Sequence, residues 1–434
     1  MPLELVGLIG FLLFLILMGL GVPIGGAMAF VGLVGYAATV GIDPTVKFLG
    51  LMSYYSISKY DLSVIPLFVL MGHLAYHANI AADVFDVGKK WLGHIPGGLV
   101  HATIVAEAAF GAASGSMMAT CAVMTKVTIP EMTKAGVDKK LAYGAVVASS
   151  TVDGLIPPSI AMVIYGLLTE TSIGKLLVAG ILPGILVVVL FMVMVYTRVK
   201  LNPSLAPINR THVSWKERLI SLRKLGPFSF IVVVIIGGLY LGLFTPTEAG
   251  AVGACGMLII GLILNRLNLK NIKQCLRETI GTSVSIFFIL IGAFMFSYFL
   301  GICRMPQTIS GFLLSLDAGP TITMILVMIF YTLTGAFMDE IAAFFITLPM
   351  IWPVLKALGI DPIWCGVLLC VVQAVGLITP PYGLNLFIVK SIFPEITIQD
   401  IVEGAGWFLA MNAVALVILM IFPQISLFLV SQMK

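Results

Sequence analysis

Charge is what this chain has least of: Asp, Glu, Lys and Arg together make up 10% of its 434 residues, against roughly a quarter in a soluble domain. A water-soluble globular protein is excluded. Paired cysteine spacing is missing too. Cys121, Cys255, Cys275, Cys303, Cys365 and Cys370 form no CxxC pair and no framework, which leaves a disulfide scaffold or a zinc site without support. Neither an HExxH helix nor a GxxxxGK-Ser/Thr loop occurs, so a zinc peptidase and an ATP-driven pump both lack their machinery. The nearest thing to a nucleophile elbow is Ala112-Ala-Ser-Gly115, and no His or Asp partner for Ser114 is evident.

What is abundant is apolar. Hydrophobic residues make up 60% of the chain, with 44 Gly and 22 Pro, and the mean hydropathy is +1.11. Gly and Pro are commoner in membrane helices than in soluble ones, and at about 20 residues per span the length allows about a dozen segments. The apolar stretches run unbroken instead of alternating as barrel strands do. An all-α polytopic membrane protein is therefore expected. Spans are expected near 3–20, 22–41, 62–80, 139–172, 174–197, 227–244, 246–264, 280–300, 363–392 and 406–430. The opening Met1-Pro-Leu-Glu4 lacks the basic flank of a cleavable signal, so the first run is expected to stay as a permanent span.

Two further apolar regions, 97–130 and 319–355, are interrupted by Gly111-Ala-Ala-Ser-Gly-Ser116 and Thr334-Gly-Ala-Phe-Met-Asp-Glu340. Each flanking arm spans roughly 21 to 25 Å as helix, short of the roughly 30 Å of hydrocarbon. Both read as re-entrant hairpins, a form tolerated only where it is buried in protein or lines a watery cavity.

The chain also repeats itself. Pro23 and Pro246, Pro130 and Pro353, Gly136 and Gly359, Asp138 and Asp361, Pro157 and Pro380, and Pro158 and Pro381 each lie 223 residues apart. Duplicated halves are expected at 1–200 and 225–434, joined by a basic linker at 201–224. Arg198, Lys200, Arg210, Lys216, Arg218, Arg223 and Lys224 face a single acid, Glu217, across this join. These charges could form an anionic-lipid or nucleic-acid patch; between two membrane halves they read more simply as a cytoplasmic topology determinant, with no nucleic-acid partner. An odd number of spans before the linker turns the second half upside down relative to the first. Inverted repeats with broken helices are the mark of secondary transporters.

Four carboxylates, Glu107, Asp153, Asp339 and Glu340, fall at membrane depth with no Lys or Arg near them in sequence, where a bare charge is expensive. Na+ or H+ is the cheapest neutralising visitor. His101 is six residues from Glu107 and does not share its helix face. In Ser149-Ser-Thr-Val-Asp-Gly-Leu-Ile-Pro-Pro-Ser159 and Gln373-Ala-Val-Gly-Leu-Ile-Thr-Pro-Pro-Tyr-Gly-Leu-Asn385, a double proline forbids continuous helix. The carbonyls before Pro157 and Pro380, with the Ser150, Thr151 and Thr379 hydroxyls and Gly376 beside them, make a candidate Na+ ligand set. Ser114 and Ser116 are expected to meet the first break, and Thr334 and Asp339 the second. Helix N-termini restarting at each tip and each break suit an anionic substrate.

Phe110-Gly-Ala-Ala-Ser-Gly-Ser116, Gly154-Leu-Ile-Pro-Pro-Ser159, Gly335-Ala-Phe-Met-Asp339, Gly359-Ile-Asp-Pro362 and Thr379-Pro-Pro-Tyr-Gly383 together resemble the large membrane subunit of tripartite ATP-independent periplasmic (TRAP) transporters, over nearly the whole chain. The resemblance implies an elevator-type transporter of the bacterial inner membrane, with Na+ as coupling ion. It also implies a small four-helix membrane subunit, a soluble periplasmic substrate-binding protein and an organic-acid substrate of the sialic acid or C4-dicarboxylate type. The family's ion ligands map onto Ser114, Ser116, Gly154 and Pro157, and onto Gly335, Asp339, Thr379 and Pro380. Asp153 departs from the pattern, which has a small residue before the glycine. The alternative reading is a stand-alone Na+/carboxylate symporter without a binding protein.

Overall fold

The computed structural model describes residues 2–207, 213–315 and 319–433; Arg210 of the basic linker lies outside them. The described residues form helices and turns with no strand: α1 Leu3–Gly19, α2 Ile24–Val40, α3 Ile42–Tyr55, α4 Val64–His77, α5 Ile80–Leu92, α6 Gly98–Ser114, α7 Met117–Lys134, α8 Lys139–Ser149, α9 Ile160–Thr169, α10 Ile173–Ala179 and α11 Ile181–Leu201. The second half holds α12 Trp215–Tyr240, α13 Pro246–Ile263, α14 Leu269–Ile302, α15 Met305–Ser315, α16 Gly319–Phe337, α17 Glu340–Ala357, α18 Pro362–Gly376, α19 Leu384–Ile392, α20 Ile398–Ile421 and α21 Gln424–Ser431. Among the described residues seven helices are long and apolar enough to cross a membrane, or eight when α3 and α4, bent by 58°, count as one span. The protein is an all-α polytopic membrane protein.

Local chemistry sets the ends. Ser214 and Glu217 form a reciprocal capping box, with Glu217 N donating to Ser214 Oγ at 3.2 Å and Ser214 N to Glu217 Oε2 at 3.1 Å. That box starts α12 inside the stretch expected to be linker. Thr245 and Glu248 repeat the device before Pro246, the first residue of α13. The 34 residues of α14 span about 51 Å, so its polar first turns extend beyond the span expected at 280–300. Where one final span was expected at 406–430, Pro423 separates α20 from α21.

Two helix groups result. In one, α2 lies along α14, α4 packs on α13 and α14, and α12 flanks α13. In the other, the α6–α7 and α16–α17 hairpins surround the broken helices α8–α9 and α18–α19, with α11 and α20 behind α6 and α8. The groups meet where α4 touches α6 and α14 touches α17. The 223-residue offset reappears in the element boundaries: α7 and α17 start and end that far apart.

Candidate functional site

The first hairpin turns at Gly115, whose φ of +62° is the left-handed region that glycine adopts without strain. A Cβ there would also come within 2.8 Å of the Pro158 carbonyl. Ser116 then starts α7, its Oγ accepting from Ala119 N at 3.4 Å. Ser114 Oγ sits 2.6 Å from Thr120 Oγ1 and accepts from Ser116 N at 3.3 Å. Ile160 N donates to the Gly115 carbonyl at 3.3 Å. The tip is thus tied to the chain immediately beyond Pro157 and Pro158 through Gly115.

At the first break α8 ends in a 3-10 turn over Ser150–Gly154. Ser150 Oγ donates to the Val147 carbonyl at 2.8 Å and Thr151 Oγ1 to Ala148 at 2.6 Å. Both hydroxyls spend their protons on the backbone and keep lone pairs for other partners. Ser159 Oγ reaches back to the Gly154 carbonyl at 2.8 Å and caps α9 through Met162 N.

The second half repeats the plan with other atoms. Gly335 on α16 crosses Gly376 on α18 backbone to backbone, so that a Cβ on Gly376 would lie 2.6 Å from Gly335 Cα. Thr334 Oγ1 accepts from Gln373 Nε2 at 3.4 Å, and Thr379 Oγ1 donates to the Val375 carbonyl at 2.6 Å. Gly383 N donates to the Ala336 carbonyl at 3.1 Å, tying this hairpin to its own break beyond Pro380 and Pro381. Asp339 starts the second arm of this hairpin: its Oδ1 caps α17 by accepting from Ala342 N at 2.9 Å, and the residue lines a cleft.

Around both double prolines backbone oxygens are left over. Among the described residues no donor reaches the carbonyls of Ile156, Pro157, Ile378 or Thr379, because the residue before each proline is held out of helical conformation and the ladder stops there; Ile160 N and Gly383 N turn instead to the hairpin tips. The breaks also lie side by side. Asn385 Nδ2 of α19 donates to Ser150 Oγ at 2.9 Å, while its Oδ1 is buried without a partner. Asn385 and Gln373, whose Oε1 is likewise buried and unpartnered, were not singled out from the sequence. The available signal was an amide inside an otherwise apolar membrane helix.

Glu107 and Asp153 are fully buried, and all four of their carboxylate oxygens lack a partner. Asp153 abuts the backbone of α6 at Gly111, one turn beyond Glu107 on the same face. A bare anion is not stable in such a place, so each carboxyl is neutral or is neutralised by a bound cation. His101 does not serve, since its Nε2 lies 3.1 Å from the Pro96 carbonyl.

A cleft of about 450 Å³ separates the hairpin tips from α4 and α14. Ser116 and Lys126 of α7, Asp339 and Glu340 of the second tip, and His73 and Glu278 line it. Glu278 lies 2.9 Å from His77 Nε2 and 3.4 Å from His73 Nδ1. Its volume suits a small organic solute, and the tips present two capped helix N-termini to it.

A sequence profile described as "Tripartite ATP-independent periplasmic transporter, DctM component" matches residues 11–425. The C4-dicarboxylate TRAP transporter large permease protein DctM of Pseudomonas aeruginosa is 35% identical, with 88% of this chain and 89% of that protein covered. The sialic acid large permease SiaM of Vibrio cholerae is 31% identical over 94% of this chain and 95% of its own length. The ectoine large permease TeaC of Halomonas elongata is 32% identical with the same coverage. Among solved structures, the YdaH transporter of Alcanivorax borkumensis superposes with a TM-score of 0.62 at 16% identity, covering 88% of this chain and 89% of that one. That likeness is one of fold.

Proposed function

Because the chain belongs to the DctM component of the tripartite ATP-independent periplasmic transporters, we propose that it is the transport subunit of a Na+-driven importer of organic acids in the bacterial inner membrane. In this reading a soluble periplasmic binding protein delivers the substrate and a small four-helix membrane subunit flanks the chain. The observation that carries it is the set of unclaimed carbonyls at Ile156, Pro157, Ile378 and Thr379, each break sewn to its own hairpin tip beside a cleft lined by Asp339. Hard backbone and hydroxyl oxygens in that number suit Na+.

The hairpins and broken helices move as one body against α2, α4, α13 and α14, and the halves 1–200 and 225–434 are inverted copies. The cleft follows α7 from Ser116 to Lys126, toward the end where Asp138 N donates to the Leu205 carbonyl beside the basic linker. With the linker in the cytoplasm, this is an inward-open arrangement.

Uptake into proteoliposomes tests the reading. Organic acids should accumulate under an imposed Na+ gradient only when both partner proteins are present. Efficient accumulation by this chain alone would favour the stand-alone symporter.

A further inference from the structure

A second cavity lies far from the hairpin tips, at the junction of α5 and α12. It encloses about 170 Å³ and is lined by Asp86, Lys89, Lys90, His94 and Arg218 among others. Three permanent cations and a histidine thus surround one acid. That acid is already engaged: Asp86 Oδ2 takes Lys90 at 2.9 Å and Lys224 at 3.1 Å. Lys89 pairs with Glu131 of α7 at 2.7 Å.

Arg218 is the exception. Among the described residues no carboxylate lies within ion-pair distance of it, and its Nε is buried without an acceptor. One terminal nitrogen lies 3.4 Å from His94 Nδ1. A buried guanidinium N–H left unsatisfied is costly, and the planar fork matches a phosphate oxygen pair.

The depth of the cavity fits the same ligand. The Trp91 indole donates to the Arg218 carbonyl at 3.3 Å, Trp91 meets Trp215 edge-on at 6.3 Å, and the guanidinium lies 5.1 Å over the Trp215 ring. Paired tryptophans mark the boundary between hydrocarbon and headgroups. Helix α5 is amphipathic, burying Ile80, Val84, Phe85 and Val87 while Asp86, Lys89 and Lys90 line the cavity.

We propose that this cavity binds a phosphate group at headgroup depth, with Arg218 as the bidentate anchor and Lys89 and Lys90 as flanking charges. The phosphate is carried by an anionic phospholipid or by a small soluble phosphate compound. A basic pocket on the cytoplasmic side of membrane helices is suited to either. Because α5 also touches the hairpin arm α7 through Lys89 and Glu131, an occupied site would brace the connector between α4 and the first hairpin.

Native mass spectrometry of the purified chain tests it, with phosphatidylglycerol titrated in one arm and inorganic phosphate in the other. Saturable retention of phosphatidylglycerol assigns a lipid. Saturable retention of inorganic phosphate alone assigns a soluble compound. In either arm Arg218→Gln should weaken binding about tenfold, and Arg218→Lys, which keeps the charge and loses the fork, should fall between. Arg218→Lys decides the matter if Arg218→Gln does not elute as a folded species. Absence of saturable binding in both arms, or binding to the variants as tight as to the parent, overturns the proposal.

Discussion

Asp339→Asn is expected to weaken the Na+ dependence of uptake by roughly ten- to a hundredfold, the range set by losing a charged group that favours a cation beside the second hairpin tip. Asp339 Oδ1 caps α17 through Ala342 N at 2.9 Å, and Asn caps about as well as Asp. The helix start and the fold should therefore survive the change. What Asn cannot supply is the negative charge at the lip of the cleft, beside the second hairpin tip. Asp339→Ala removes both, and should cost roughly 1 kcal/mol of stability in addition. Na+ titrations of uptake, read beside thermal melting in detergent, separate the two roles. If Asn leaves Na+ affinity and rate unchanged, capping is the whole of this residue's work.

Gly376→Val is expected to prevent the second hairpin from closing on its break. The α16–α18 crossing leaves no room, since even the first side-chain carbon would stand 2.6 Å from Gly335 Cα. Backbone cannot yield as a flexible side chain can. The cost is about 3 kcal/mol, which is a large share of a marginal stability. The expected outcome is a sharp drop in melting temperature together with loss of uptake. Gly406→Val is the control: a Cβ at Gly406 meets nothing within 4 Å, and it should behave as the parent chain. Equal melting of the two variants would contradict the close crossing.

Much of this plan was legible because hydrophobic length and proline placement are local signals. The runs at 22–41 and 246–264 become α2 and α13, and Pro157-Pro158 and Pro380-Pro381 interrupt their helices. The arms around Ser114 and Asp339 become helix pairs, but α16 and α17, with 19 and 18 residues, are each long and apolar enough to cross a membrane and so exceed the short arms expected there. Helices with mixed faces were not visible that way. Asp43 and Lys47 dilute the hydropathy of α3, and the amphipathic α5 buries only one face. Charged residues from Lys270 to Glu278 hide the first turns of α14.

The site was half legible for a related reason. Hydroxyls and prolines near a break announce themselves, so Ser114, Ser150, Thr151 and Thr379 can be named as candidates from the sequence. Which atoms meet across more than 200 residues is a tertiary fact. No local pattern shows that Asn385 bonds Ser150, that Gln373 bonds Thr334, or that Asp339 lines a cleft with His73 and Glu278. The same holds for Glu107 and Asp153, whose common neighbourhood follows only from how α6 passes the first break.

The claim at the centre is that Na+ travels with the solute, held between hairpin tips and double-proline breaks. Simultaneous uptake of radioactive sodium and labelled organic acid into proteoliposomes, with both partner proteins present, measures it most directly. The account predicts that sodium enters in a fixed ratio to solute and that Asp339→Asn lowers both fluxes together. Solute accumulation with no accompanying sodium entry would contradict it.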